Sequence, residues 1–331
     1  LLFRVSGPKT GQGSGGKGDP NINYGILNTE ESVIPHRFAR RHVEPGKQRG
    51  HSGLLKIPPT RLIRMLRHHT FGIKDGRSEV SSWTHCLLAA INFAEHVFKR
   101  DGTATIHIID TTQFTNDIFH NADLRRAFGS KEPVNKLFPT EWIVHGIVDG
   151  PGYWVVNFRK IKNLLPLLRL TPARSNPFPH MGFVERQEIN RRITAGQATC
   201  DLSCMSETCN TVATVMMETY KAQDTPTAKT IHLRLRAMLY CLRPRWTRQM
   251  LQTGLTQNSN QSLIKAIGDL TPAPALQEHP DIINDDVFTH EDFPDVTQAR
   301  ALLRMLAISR EAARQVDEAS RKALKRKRED S

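Results

Sequence analysis

Gly11-Gln12-Gly13-Ser14-Gly15-Gly16 matches G-x-G-x-x-G, and Gly11 to Lys17 matches G-x-x-x-x-G-K, the two glycine patterns that cradle phosphate. Both work only where the glycines open a helix whose N-terminal amides face the anion. Here Lys17 is followed by Gly18, Asp19 and Pro20, so the magnesium-binding hydroxyl is missing and no helix begins. Cys200, Cys204 and Cys209 are spaced C-x3-C-x4-C. Zinc and iron–sulfur sites use other spacings, so buried or free thiols are the better reading and no metal is expected. Gly50-His51-Ser52-Gly53 ends in Leu54 where a nucleophile elbow needs glycine. The 14 histidines are scattered and never form H-E-x-x-H. At the far end Lys325-Arg326-Lys327-Arg328 follows Arg321 and Lys322. That run reads as a nuclear-import signal or as a solvated helix end, where cations suit the negative pole of the helix dipole.

The charge is therefore uneven. The chain has 331 residues and a net charge of +13, of which this tail carries +4 against Glu329 and Asp330. With a pI near 9.8 it permits polyanionic partners, nucleic acid through the basic surface among them. No C2H2 spacing, basic zipper or RNP aromatic pair accompanies the charge. Hydrophobic residues at 38% allow a sizeable core, and five cysteines are too few for a disulfide-stapled scaffold. No run approaches the ~20 apolar residues of a membrane span. Leu1–Val5 runs straight into a Gly/Lys-rich stretch, unlike a secretory signal, so a nuclear or cytoplasmic location is expected.

Periodicity sets out the elements. Leu1–Val5 reads as a strand, 6–50 as a glycine-rich and then basic loop insertion, and Pro59–His68 as an amphipathic helix. Trp83–Phe98 places Leu87, Leu88, Ile91, Ala94, Val97 and Phe98 on one stripe and is the clearest helix. Thr103–Asp110 alternates as a strand. Glu141–Asp149 and Tyr153–Phe158, joined by Gly150-Pro151-Gly152, predict a hairpin. Beyond residue 160 the pattern turns helical, with helices expected at 161–169, 183–193, 212–223, 231–242 and 262–267. A Pro/Asp-rich linker at 271–295 follows, then a C-terminal helix with a basic tail over 296–331. The expected organisation is an α+β domain of about 160 residues followed by a helical extension.

Within that first part, Leu2-Phe3-Arg4-Val5, Ser81-Ser82-Trp83-Thr84-His85-Cys86-Leu87-Leu88, Ile106-His107-Ile108-Ile109-Asp110-Thr111 and Thr140-Glu141-Trp142-Ile143-Val144-His145-Gly146 occur in order. Together they resemble an uncharacterised domain family of filamentous fungi with an "LFRV" start, an "SWTSSLLFAL" helix entry, an "I-x-I-x-D-T" strand and an "EYLVYG" strand. The pattern is similar in turn to the toxin-type ADP-ribosyltransferase fold, a mixed sheet with flanking helices. The resemblance implies NAD as cofactor, with Arg4 clamping its pyrophosphate, Ser82 and Thr84 as the hydroxyl group, and Glu141 as the catalytic carboxylate. In such enzymes the carboxylate stabilises an oxocarbenium-like sugar as nicotinamide leaves. This chain has Thr84-His85-Cys86 where a Ser-Thr-Ser motif would stand, and Pro139 where arginine-modifying members carry Glu or Gln. A catalytically degenerate binding or assembly module is thus expected, with residual transfer; the alternative is a basic nuclear protein that binds nucleic acid. The plain reading of the same residues is that Arg4 pairs with a carboxylate and Glu141 merely opens a strand.

Overall fold

The structure is a computed structural model that describes residues 1–8, 26–35, 38, 57–70, 78–128, 141–165, 202–222 and 225–241. In chain order the elements are β1 (Leu2–Ser6), β2 (Leu27–Asn28), β3 (Ser32–Ile34), α1 (Pro59–Thr70), β4 (Val80–Thr84), α2 (Leu87–Asp101) and β5 (Thr105–Ile109). They continue with β6 (Ile118–His120), α3 (Asn121–Phe128), β7 (Glu141–His145), β8 (Val148–Asp149), β9 (Tyr153–Asn157), α4 (Phe158–Lys162), α5 (Leu202–Met217) and α6 (Pro226–Cys241). The class is α+β, with antiparallel sheets and several helices.

Six strands form the main sheet in the order β6-β7-β4-β1-β5-β9, and β2-β3-β8 form a second, three-stranded sheet. Antiparallel partners directly opposite one another share a face. Phe3, Val5, Ile106, Ile108, Trp154 and Val156 bury one face of the main sheet with the apolar stripe of α2, and α5 and α6 close the same core through Val212, Met216, Ile231 and Leu235. Leu2, Trp83, Ile109, Trp142 and Val155 bury the other face against Val33 and Val148 of the small sheet. A third cluster sets Leu62, Met65 and Leu66 of α1 on Val80 and Ile143.

Local chemistry sets the boundaries. The extended residue Cys86 caps α2, its Sγ accepting the Ala89 N–H, so the helix begins at Leu87 and not at Trp83. Trp83 and Thr84 instead finish β4, where their β propensity meets a paired partner strand. Gly102 ends α2 at a φ of 75° and returns its N–H to the Phe98 carbonyl.

The expected 141–149/153–158 hairpin does not form. Gly146 and Gly150, with φ of 89° and 92°, turn the chain so that β7 pairs β4 and β6, β8 leaves for the small sheet, and β9 returns to pair β5. Part of the 6–50 insertion, residues 27–34, is a short antiparallel pair laid over the main sheet. Among the described residues after 165, helices lie at Leu202–Met217 and Pro226–Cys241, against expectations of 212–223 and 231–242. They share the sheet's core, and Trp154 Nε1 donates to the Met216 carbonyl at 2.8 Å. The helices expected at 183–193 and 262–267, the 271–295 linker and the 296–331 helix lie outside the described residues.

Candidate functional site

β1 pairs with β5 along Leu2–Ser6, but its register with β4 is the single position Phe3 opposite Thr84. Beyond that point the two strands part, and backbone groups lining the opening need other partners. Arg4 supplies them. Its Nη1 donates to the Ser82 carbonyl at 2.9 Å, and its Nε donates to Asn28 Oδ1, also at 2.9 Å. The guanidinium thus ties the small sheet to the edge of β4.

Ser82 connects this cation to the carboxylate. Its hydroxyl donates to Glu141 Oε1, while its carbonyl receives Arg4. Glu141 is buried and stands opposite Thr84 on the neighbouring strand. On the far side His69, near the end of α1, places Nε2 2.5 Å from Ser82 Oγ. Because the one hydroxyl proton goes to Glu141, the contact with His69 is an Nε2–H donating to Ser82. Burial, and then the charge of Arg4, pulls the His69 pKa down to about 4, so the ring is neutral near pH 7. Burial also lowers Arg4, to about 10, with Tyr153 and then Glu141 acting in the opposite direction. Arg4 remains a cation at neutral pH.

The opening therefore presents a half-buried guanidinium, a buried carboxylate and a hydroxyl between them. Arg4 commits two N–H groups to Asn28 and Ser82, out of about five that a guanidinium carries. Such a fork suits the oxygens of a phosphate or carboxylate, and the carboxylate beside it suits developing positive charge. Comparison adds no relative to this geometry: no family model, no curated protein and no solved structure matches the chain.

The four residues nominated from the sequence are not equally engaged. Arg4, Ser82 and Glu141 come together. Thr84 lies beside Glu141 in register, but its Oγ1 accepts the Cys86 N–H at 3.1 Å and so serves the strand-to-helix turn. His85 and Cys86 are likewise occupied, the first accepting Trp142 Nε1–H at Nδ1 and the second capping α2.

Two site residues escaped the sequence reading, His69 and Asn28. His69 falls just past the helix expected to end at His68, and its partner Ser82 lies on another element. Asn28 falls inside the stretch read as an insertion. The signal there is Leu27 and Val33–Ile34 flanking polar turn residues, whose Thr29 Oγ1 indeed accepts the Glu31 and Ser32 N–H groups.

Among the described residues no cluster of three or more His, Cys, Asp or Glu could hold a metal ion. Cys209 is a thiol buried in the apolar core. Among the same residues no helix is long and apolar enough to cross a membrane. The glycine motif at 11–17, the near-elbow at 50–54, Pro139, Cys200 and the basic run Lys325-Arg326-Lys327-Arg328 lie outside the described residues.

Proposed function

We propose that the chain is an ADP-ribosyltransferase-like domain, degenerate in its hydroxyl motif, that holds NAD at the opening between β1 and β4 as a binding module with residual transfer activity. The observation that carries this reading is Ser82, whose carbonyl meets Arg4 and whose hydroxyl meets Glu141. One residue thereby touches both the cationic fork and the carboxylate, the two groups that this reading assigns to the pyrophosphate and the ribose.

In this reading Arg4 grips the pyrophosphate, pre-aimed by Asn28 and Ser82. Ser82 orients the Glu141 carboxylate, and the neutral His69 keeps the Ser82 hydroxyl turned toward it. NAD, when bound, supplies a ribose from which nicotinamide leaves as a neutral base, C1′ passing to a nucleophile whose proton goes to solvent. Glu141 offsets the positive charge that develops on the ribose. The degenerate character rests on Thr84, His85 and Cys86, which are given over to the entry of α2 and to Trp142.

The test is calorimetric titration of NAD into the wild-type chain and into E141A and R4K, with nicotinamide release followed in parallel. We expect heat with wild type and retained binding without release in E141A. R4K keeps the charge but cannot reach Asn28 and Ser82 together, and should bind at least about tenfold more weakly. Absence of heat with wild type overturns the proposal.

A further inference from the structure

Behind Arg4, on the face of the main sheet that receives the small sheet, four polar groups form an uninterrupted chain. His107 stands directly opposite Arg4 on β5. Ser6 Oγ lies 2.6 Å from His107 Nε2, His107 Nδ1 lies 2.6 Å from the Tyr153 hydroxyl, and that hydroxyl donates to the Thr29 carbonyl at 2.6 Å. The direction of every proton follows. The Tyr153 proton goes to Thr29, so Tyr153 accepts from His107 Nδ1–H. A neutral ring then has a bare Nε2, which accepts the Ser6 hydroxyl proton.

The ring is neutral because burial, with Arg4 adding its repulsion, lowers its pKa to about 3. Burial raises the Tyr153 phenol, although Arg4 pulls it the other way. The chain is buried at Ser6, His107 and Tyr153, and places no second charge beside Arg4.

Its end point matters. Thr29 follows Asn28, the residue that accepts from Arg4 Nε and whose own Nδ2 donates to the Ile26 carbonyl. The β2–β3 turn is therefore pinned to the main sheet through the Thr29 carbonyl, and Asn28 is aimed by that pin. We infer that His107 and Tyr153 are positioning residues for Arg4: through Thr29 they fix the turn bearing Asn28, and so the direction in which the guanidinium is presented to an anion. This deepens, and for its effect on ligand rests on, the NAD reading above; the geometry of Arg4 itself can be read without NAD.

The test uses the full chain in Y153F, H107A, H107N, N28A and the double variant Y153F/N28A. NMR follows solvent exchange of Arg4 Nε–H, and calorimetry follows NAD. Y153F and H107A should each speed Arg4 Nε–H exchange by about tenfold, as expected for one lost hydrogen bond. H107N, whose amide nitrogen can stand at the Nδ1 position, should stay within about twofold of wild type. N28A should exchange as fast as Y153F, and the double variant no faster than N28A alone, because both act through one contact.

Unchanged Arg4 exchange in Y153F, or additive effects in the double variant, overturns the inference. Should Y153F not fold, N28A set against H107N and H107A decides the question. The expected exchange pattern without any NAD heat in wild type leaves the positioning role standing and removes the NAD reading. NAD binding that is present, with exchange unmoved by Y153F and H107A, does the reverse.

Discussion

Buried, neutral histidines make the acid side of this protein's stability predictable. His69, His85 and His107 all have pKa values pulled down by burial, to about 4, 4 and 3. For such a ring the unfolded chain takes up its proton first, near the ordinary 6.5, while the folded chain resists until the lowered value. The stabilisation is therefore complete above about pH 6.5 and is lost as pH falls toward the folded value, each ring contributing roughly 1.4 kcal/mol per pH unit inside that window. We expect the urea midpoint to drop steadily between pH 6.5 and 5, above the range of ordinary carboxylates, and the H107N variant to show a shallower slope. A midpoint that stays level over that interval would contradict the buried, neutral assignment. Histidine could be counted in the sequence, but burial beside Arg4 could not: His69 and Ser82 sit on different elements, and His107 is one of several polar residues in an alternating strand.

At the scale of elements, the contact of β1 with α2 depends on an absent side chain. Gly7 follows β1, and a Cβ built there would stand 2.4 Å from Val97 Cγ1 and 3.1 Å from the Thr103 carbonyl. One neighbour is a buried core side chain and the other is backbone, so neither can simply swing away. Gly7→Ala should lower stability by about 1–3 kcal/mol through overpacking, measured as a fall in the urea midpoint with the slope unchanged. A loss below about 0.5 kcal/mol, the scale of a neutral surface change, would show that β1 and α2 are free to move apart. Element types were largely legible because the apolar spacing of Leu87, Leu88, Ile91, Ala94 and Val97 admits only a helix, and the alternation of 105–109 only a strand. Boundaries and pairings were less so. The 141–149 run is β-prone throughout, yet the positive φ of Gly146 divides it between two sheets, and periodicity does not register a change of sheet.

At the scale of the whole molecule, the described residues of the first 165 share their main core with two helices that come later in the chain. Cys209, Val212, Ala213 and Met216 of α5 and Ala228, Ile231 and Leu235 of α6 are buried with Phe3, Trp154 and Phe158 in one cluster. Polar contacts follow the same path, as Gln113 Nε2 donates to the Tyr220 hydroxyl and Thr219 Oγ1 to the Val155 carbonyl. A chain ending at Leu165 should therefore expose that sheet face, bind a hydrophobic dye and lose its dispersed methyl NMR signals; a cooperative melt equal to the full chain would show instead that α5 and α6 are dispensable. Composition and periodicity by themselves determined the α+β class and the main helices, because these depend on residue type and on neighbours a few positions away, whereas Arg4, Ser82 and Glu141 were singled out only by what the family resemblance implies. Only the tertiary structure decided that β1 and β4 part after Phe3, that Asn28 and His69 reach the opening, and that His107 and Tyr153 stand behind it. Those contacts join residues as far apart as 24 positions, between Arg4 and Asn28, and 124 positions, between Tyr153 and Thr29. At such separations the partner is chosen by which faces the packed core brings together, and short-range spacing carries no record of that choice.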